Sequence, residues 1–329
     1  MRLSPCATVR AVLFAAATLL APAAARADLV FVLNSTDPSI QLLDGRTQQE
    51  VRRIPALREV HHLTLTPDGT QILVGDSGGN EMVFLDPATG EVKRRERISN
   101  PYHLAFTPDG KRLVVTSLRR DQVDVYGWDG QALTLQGRVR SGDMPSHVAF
   151  SPDSKVAYVT LQGDREIAAI ALDTREVLWK LEVGRDPAGI LWHEGRLLVG
   201  IMGSDNLAVV DPEARVVERR IVLGRGTHQV FPSPNGDTIY VTSRVDSRIT
   251  ALDPRTLAIR RVYEVPGGPD DITFGPDGKL WATLRFIRKV GVLDPATGEL
   301  TQIPVGRSPH GILYQVGAAA VADAQRSAR

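Results

Sequence analysis

Cys6 is the only cysteine in this 329-residue chain. Disulfides, thiolate metal sites and cysteine nucleophiles are therefore excluded everywhere beyond the N-terminal segment. An excess of one charge is also lacking, because 39 basic residues face 38 acidic ones. That balance argues against a nucleic-acid partner, which usually needs a basic face. After residue 20 no apolar run approaches the roughly 18 residues of a membrane-spanning helix. There is no nucleophile elbow, Walker loop or Rossmann glycine fingerprint in context.

The N-terminus has the layout of a secretory signal. Arg2 and Arg10 form a basic start, Ala11–Leu20 an apolar stretch, and Ala25-Arg26-Ala27 a small-x-small cleavage site. Cleavage near Ala27/Asp28 predicts a soluble periplasmic protein. It leaves 302 residues with 36 basic and 38 acidic side chains. Cys6 precedes the apolar stretch, where it is badly placed for a lipid anchor. The expected organisation is a signal peptide at 1–27, a folded unit at 28–316 and a disordered tail at 317–329, rich in Ala, Arg and Ser.

What the chain does have is a repeat. His62, His103 and His147 each precede a short apolar stretch and then a turn: Thr66-Pro67-Asp68-Gly69, Thr107-Pro108-Asp109-Gly110 and Ser151-Pro152-Asp153. With His228 taken as a fourth member, its turn Pro232-Ser233-Pro234-Asn235-Gly236 carries one extra residue. The register His62, His103, His147, Gly189, His228, Asp271, Gly311 then has spacings of 41, 44, 42, 39, 43 and 40 residues. Each unit continues with a second apolar strand, a third ending in Leu-Asp or Val-Asp, and a fourth, polar strand. Four short strands in about forty residues is the pattern of a β-propeller blade. Leu29–Leu33, Ser39–Asp44 and Glu50–Ile54 match strands two to four of a blade that lacks its first, and His310–Gln315 supplies it. The prediction is an all-β, seven-bladed propeller whose two ends pair to close the ring. Arg52-Arg53, Arg94-Arg95, Arg219-Arg220 and Arg260-Arg261 fall on fourth strands, where charge protects an open edge.

Ile239-Tyr240-Val241-Thr242-Ser243, with Asp253-Pro254-Arg255-Thr256 and Ser233-Pro234-Asn235-Gly236, resembles the bacterial YVTN-type β-propeller repeat. The resemblance spans Asp28–Gln315 and implies a seven-bladed, exported protein. That family includes surface-layer proteins, propellers associated with quinoprotein oxidation and relatives of the haem d1 propeller of nitrite reductases, so it implies no single activity. Residues 267–294 are also similar to repeats of streptogramin-type lyases. Asp270 and Asp271 stand where those enzymes use histidine, and Thr283-Leu284-Arg285 lacks their glutamate, so the lyase activity is not expected.

In a propeller of this kind the histidine register lies at the mouth of the central channel. His62, His103, His147, His228 and Asp271 are the candidates there, with His310 and His61 more loosely associated. Loops between strands two and three add Arg119, Arg120, Arg165, Arg244 and Arg285. Imidazoles within and guanidiniums around them suit an anion or a metal-bound anion. His62, His103 and His147, from three consecutive blades, are the candidate metal ligands. Two explanations stay open. The histidines bind something, or they tie the interblade connection by hydrogen bonds, as in WD-type propellers, which resemble this one. The four tryptophans fall on or beside strands and are expected to pack between blades.

The sequence thus points to an exported binding or accessory module, expected to be a monomer, with a small anionic ligand or a periplasmic protein as partner. A divalent metal or a haem-type cofactor is possible and neither is fixed. The alternative is a metal- or cofactor-dependent enzyme (lactonase, lyase or haem- or quinone-linked oxidoreductase) using the same face.

Overall fold

The computed structural model describes residues 28–56 and 58–317. The expected export signal and all but the first residue of the expected tail lie outside the described residues. Seven four-stranded antiparallel sheets form a ring. We number the blades by their first, innermost strands: Val60–Leu65, His103–Phe106, Pro145–Phe150, Pro187–His193, Thr227–Pro232, Pro269–Phe274 and Pro309–Gln315. Blade 7 takes its other three strands from the N-terminal end, Leu29–Asn34, Ser39–Asp44 and Glu50–Pro55. Leu29 pairs with Gln315 and Val32 with Ile312, which is the closure expected from the sequence. Asp28 locks it further, accepting the Gly317 amide at 2.7 Å and the Tyr314 hydroxyl at 3.1 Å. Gly317 is therefore tied to the propeller rather than to the tail.

Alternating side chains on a strand point to opposite faces of its sheet. In Leu29–Asn34, Val30 and Val32 pack toward blade 6 with Trp281 and Tyr314, whereas Phe31 and Leu33 pack toward blade 1 with Ile72 and Val74. Inner strands are apolar on both faces because every blade is flanked by two others. Seven buried clusters result, one in each gap between neighbouring blades. The tryptophans join them: Trp281 packs on Tyr314, Trp179 and Trp192 on Tyr158, and Trp128 on Phe106.

Paired arginines on the fourth strands are spent locally. Arg53 meets Glu50, Arg95 meets Glu81, Arg260 meets Asp253, and Arg219 donates to the Thr256 carbonyl. At the far end of five blades, the first two strands are joined by a turn that closes on itself. Thr66 Oγ1 donates to Asp68 Oδ1 at 2.6 Å, the Gly69 amide donates to the Thr66 carbonyl at 2.8 Å, and Gly69 takes the left-handed φ of +70°.

Candidate binding site in the central channel

The site begins with a repeated backbone irregularity. In six blades the first strand is bulged where it leaves the face, so two of its residues oppose one on the second strand. Val60 pairs with Asp76 and Leu63 with Val74, leaving His61 and His62 opposite Gly75 alone. Bulges re-aim side chains. Each of these six blades therefore contributes two adjacent residues near the axis, which form two tiers. His61, His228, Asp270 and His310 occupy the first of the two positions, and His62, His147, Gln229 and Asp271 the second.

This corrects the register of His228. The turn of blade 5 is Ser233–Gly236, closed by a Gly236 amide to Ser233 carbonyl bond of 2.9 Å, as in Thr66–Gly69. No residue is extra. Counting back four positions from the turn gives Gln229, and its amide meets the Thr242 hydroxyl as the His147 amide meets Thr160. His228 stands one place earlier, level with His61 and His310.

Threonines make the ties between blades that the histidines were candidates to make. The hydroxyls of Thr116, Thr160, Thr242 and Thr283 donate to the carbonyls of Ser146, Ala188, Asp270 and His310 in the next blade, at 2.5–3.1 Å. Gly189 and Gly311 have a steric explanation. A Cβ on Gly189 would lie 2.7 Å from the His228 carbonyl oxygen, and one on Gly311 2.5 Å from that of His61. Neighbouring backbone fills the space where a side chain would be.

Six histidines meet inside the channel. Ring centroids of His62 lie 4.7 Å from His103, 5.0 Å from His147 and 4.5 Å from His310. His147 approaches His228 at 5.6 Å, His61 approaches His310 at 4.9 Å, and Tyr102 packs against His61 and His62. Five of these imidazoles are buried and His103 is half-buried, and most pairs meet edge to face rather than spread around an open mouth. Burial, with positive charge nearby, holds His62, His103, His147 and His310 well below the ordinary histidine pKa, and lowers His228 to about 4. Several ring nitrogens are buried without a hydrogen-bond partner: His61 Nδ1, His62 Nε2, His103 Nδ1 and His147 Nε2. Such groups cost about 1–3 kcal/mol each, so stability alone does not account for them.

Two carboxylates in the channel differ sharply. Asp270, fully buried, receives Arg244 Nε at 2.6 Å and Arg285 Nη1 at 3.1 Å, with His228 Nδ1 2.9 Å away. Burial opposes its charge, but these partners win and hold it well below the usual carboxylate range. Asp271 has no guanidinium in contact among the described residues. Gln229 Nε2 donates to its Oδ1 at 3.2 Å, while Oδ2 faces His62 Nδ1 at 3.4 Å and His310 Nδ1 at 3.8 Å. Burial and the neighbouring Asp270 charge push it up to about 7.

A recess of about 170 Å³ opens between blades 1 and 2, lined by His61, Tyr102, Glu59 and Arg119. Glu59 accepts from His61 Nε2 at 3.0 Å and pairs with Arg119 at 2.5 Å; the His61 bond foremost lowers its pKa to about 2.

Of the candidates read from the sequence, His62, His103, His147, His228, His310 and Asp271 come together in the channel. Arg119 stands at the recess, 55 % exposed. Arg244 and Arg285 turn inward onto Asp270 instead of ringing a mouth, because that buried carboxylate would otherwise lack a counterion. Arg165 stands apart, exposed at a left-handed turn position with φ +64°. Three contributors went unrecognised: Asp270 as an anchor, Gln229 and Tyr102. Turn spacing alone would have marked Gln229. Among the described residues, His62, Asp271 and His310 form the group that offers three metal-ligand atoms within 4.8 Å of one another. His103 and His147 pack against His62 outside that group.

A family model for YNCE-like beta-propellers matches residues 3–319, and the chain belongs to that family. It is 24% identical over 334 residues to Protein NirF of Pseudomonas aeruginosa, covering 92% of this chain and 84% of that one. Among solved structures it is similar to dihydro-heme d1 dehydrogenase NirN in complex with DHE, at TM-score 0.65 and 18% identity, covering 87% and 74% of the two chains. Kuenenia stuttgartiensis hydrazine synthase is similar at TM-score 0.65 and 21% identity, covering 77% and 88%. These two likenesses show the fold.

Proposed function

We propose that this YNCE-like propeller is an exported, periplasmic accessory module that binds a haem-type cofactor on its channel face, at the recess between blades 1 and 2. His61 carries the reading. Its Nε2 is engaged by the Glu59 carboxylate at 3.0 Å and its Nδ1 has no partner. A metal-ligating histidine characteristically gives its other ring nitrogen to a carboxylate, which fixes tautomer and ring orientation. Arg119 beside it, with its exposed neighbour Arg120, suits the carboxylates at the edge of such a macrocycle. The recess of about 170 Å³ is smaller than a pocket for such a ligand, roughly 300–1,000 Å³, so binding also uses the exposed face. The bound group would supply an iron centre; the protein supplies the imidazole, the counter-charges and a wall of neutral histidines.

NirN, solved with DHE, motivates the ligand class, and the side chains in the argument are this chain's own. No helix among the described residues is long and apolar enough to cross a membrane. Export rests on the N-terminal pattern, and the finer YVTN-type kinship on Ile239–Ser243.

Titration with ferric haem tests the reading. A saturable change in the visible spectrum at one haem per chain is expected. His61→Ala removes the signature of imidazole ligation, and Arg119→Glu weakens binding about tenfold, equivalent to about 1.4 kcal/mol. Haem that produces no saturable change, or an unaltered spectrum in His61→Ala, overturns it.

A further inference from the structure

A second site lies deeper in the channel, and it needs no macrocycle. We propose that His62 Nδ1, His310 Nδ1 and Asp271 Oδ2 hold a divalent first-row transition ion, Zn(II) being the simplest, with a coordination position left open.

The spacing is the first argument. Asp271 Oδ2 lies 3.4 Å from His62 Nδ1 and 3.8 Å from His310 Nδ1. Neither pair makes a hydrogen bond, and His310 Nδ1 is buried without a partner. Ligand atoms about 2.0–2.2 Å from a tetrahedral ion lie about 3.3–3.6 Å apart, so these groups are spaced as co-ligands rather than as donor and acceptor. One ligand atom from each of the three residues lies within 4.8 Å of the other two, which a small adjustment closes onto one ion.

Charge is the second argument. Asp270 is neutralised by Arg244 and Arg285, whereas its neighbour Asp271 has only the neutral Gln229 amide and two imidazoles. A buried carboxylate needs a cation or a proton.

Support around the three ligands is the third. Gln229 fixes Oδ1 of Asp271 so that Oδ2 faces the histidines. His310 turns its Nε2 toward Asp270 Oδ2 at 3.7 Å, and its carbonyl is held by the Thr283 hydroxyl at 2.6 Å. Outer contacts of this kind orient ligands and set their basicity. Two histidines and one carboxylate with an open position is the donor set of zinc hydrolases and of non-haem iron(II) sites. The open position takes water or a small anion.

The test uses the full-length protein with metal alone and no haem. After chelator treatment and dialysis against zinc, one zinc per chain is expected by elemental analysis. Substituted Co(II) should give the visible d–d bands of a low-coordinate nitrogen–oxygen site. Asp271→Asn and His310→Ala should each weaken zinc at least as much as loss of an outer contact does, roughly 10–100-fold, and should abolish the zinc-dependent rise in Tm. Should either variant fail to fold, Gln229→Ala, which leaves all three ligands in place, should still weaken zinc about tenfold. Substoichiometric zinc in the wild type, or undiminished zinc affinity in the folded variants, overturns the proposal. Arg119→Glu should leave zinc binding intact. Zinc without haem binding would therefore overturn only the haem reading, and haem without zinc only this one.

Discussion

The two ends of each blade are built from the same repeat and satisfy their polar groups in opposite ways. At the turn end, Thr66–Asp68, Thr107–Asp109 and Ser151–Asp153 each close a bond of 2.6 Å within their own loop. Those bonds hold the Asp68 and Asp153 carboxyls below their ordinary value. At the channel end, imidazole nitrogens lack partners and Asp271 is pushed up to about 7 by burial and by Asp270. A repeated residue whose polar groups are all satisfied locally is architecture. A repeated residue left unsatisfied in a buried place costs stability, and a ligand is the economical account of it. The histidine column belongs to the second kind, because threonine already makes the ties between blades.

The largest break in that comparison is expected at Asp270. Asp270→Ala leaves Arg244 and Arg285 facing each other and His228 with no anion between them. Uncompensated buried charge costs about 3–5 kcal/mol. Side-chain exposures of 14 % and 23 % for the two arginines put the expected loss at the lower end of that range. Urea unfolding measures it. A midpoint shift no larger than that of a turn aspartate would mean that the channel carboxylate is as dispensable as a loop residue.

Thr160→Val comes next. It removes the donor to the Ala188 carbonyl and the acceptor of the His147 amide, 2.9 and 3.0 Å away. A loss of about 1–3 kcal/mol in unfolding free energy is expected, since two buried backbone groups are stranded. Asp109→Ala at the turn end should cost less, about 0.5–1.5 kcal/mol, because the loop is open to water. It should leave haem and zinc titrations unchanged. An altered titration in Asp109→Ala would join the two ends functionally and erase the distinction between them.

How much of this was legible in the sequence follows the same division. The turn motifs counted the blades, and the match of Leu29–Leu33 to a missing partner strand predicted the pairing with His310–Gln315 that closes the ring. Both are local patterns with fixed spacing. The channel was legible as a place but not as an arrangement. A one-column register cannot show a bulge, and the bulge is what brings His61, His228, Asp270 and His310 beside the column of His62. Charge direction was hidden too: Arg244 and Arg285 read as rim residues until Asp270 is seen beneath them. Gly189 and Gly311 read as gaps in a ring of ligands, whereas backbone from the next blade occupies the space.

The smallest expected effect on stability discriminates best between the two explanations of the histidines. His103 packs on His62 and His147, its Nδ1 is buried without a partner, and burial holds it neutral. Its backbone amide, bonded to the Thr116 hydroxyl at 3.2 Å, would survive any side-chain change. His103→Leu replaces an unsatisfied polar group with an apolar one of similar size, an exchange that is close to neutral or stabilising. The unfolding free energy should stay within about 0.5 kcal/mol of wild type or rise. A loss matching that of Thr160→Val would make His103 a structural tie after all. The same variant separates two metal sites. If His62, His103 and His147 were the ligands, zinc would be lost; with His62, Asp271 and His310 as ligands, one zinc per chain remains.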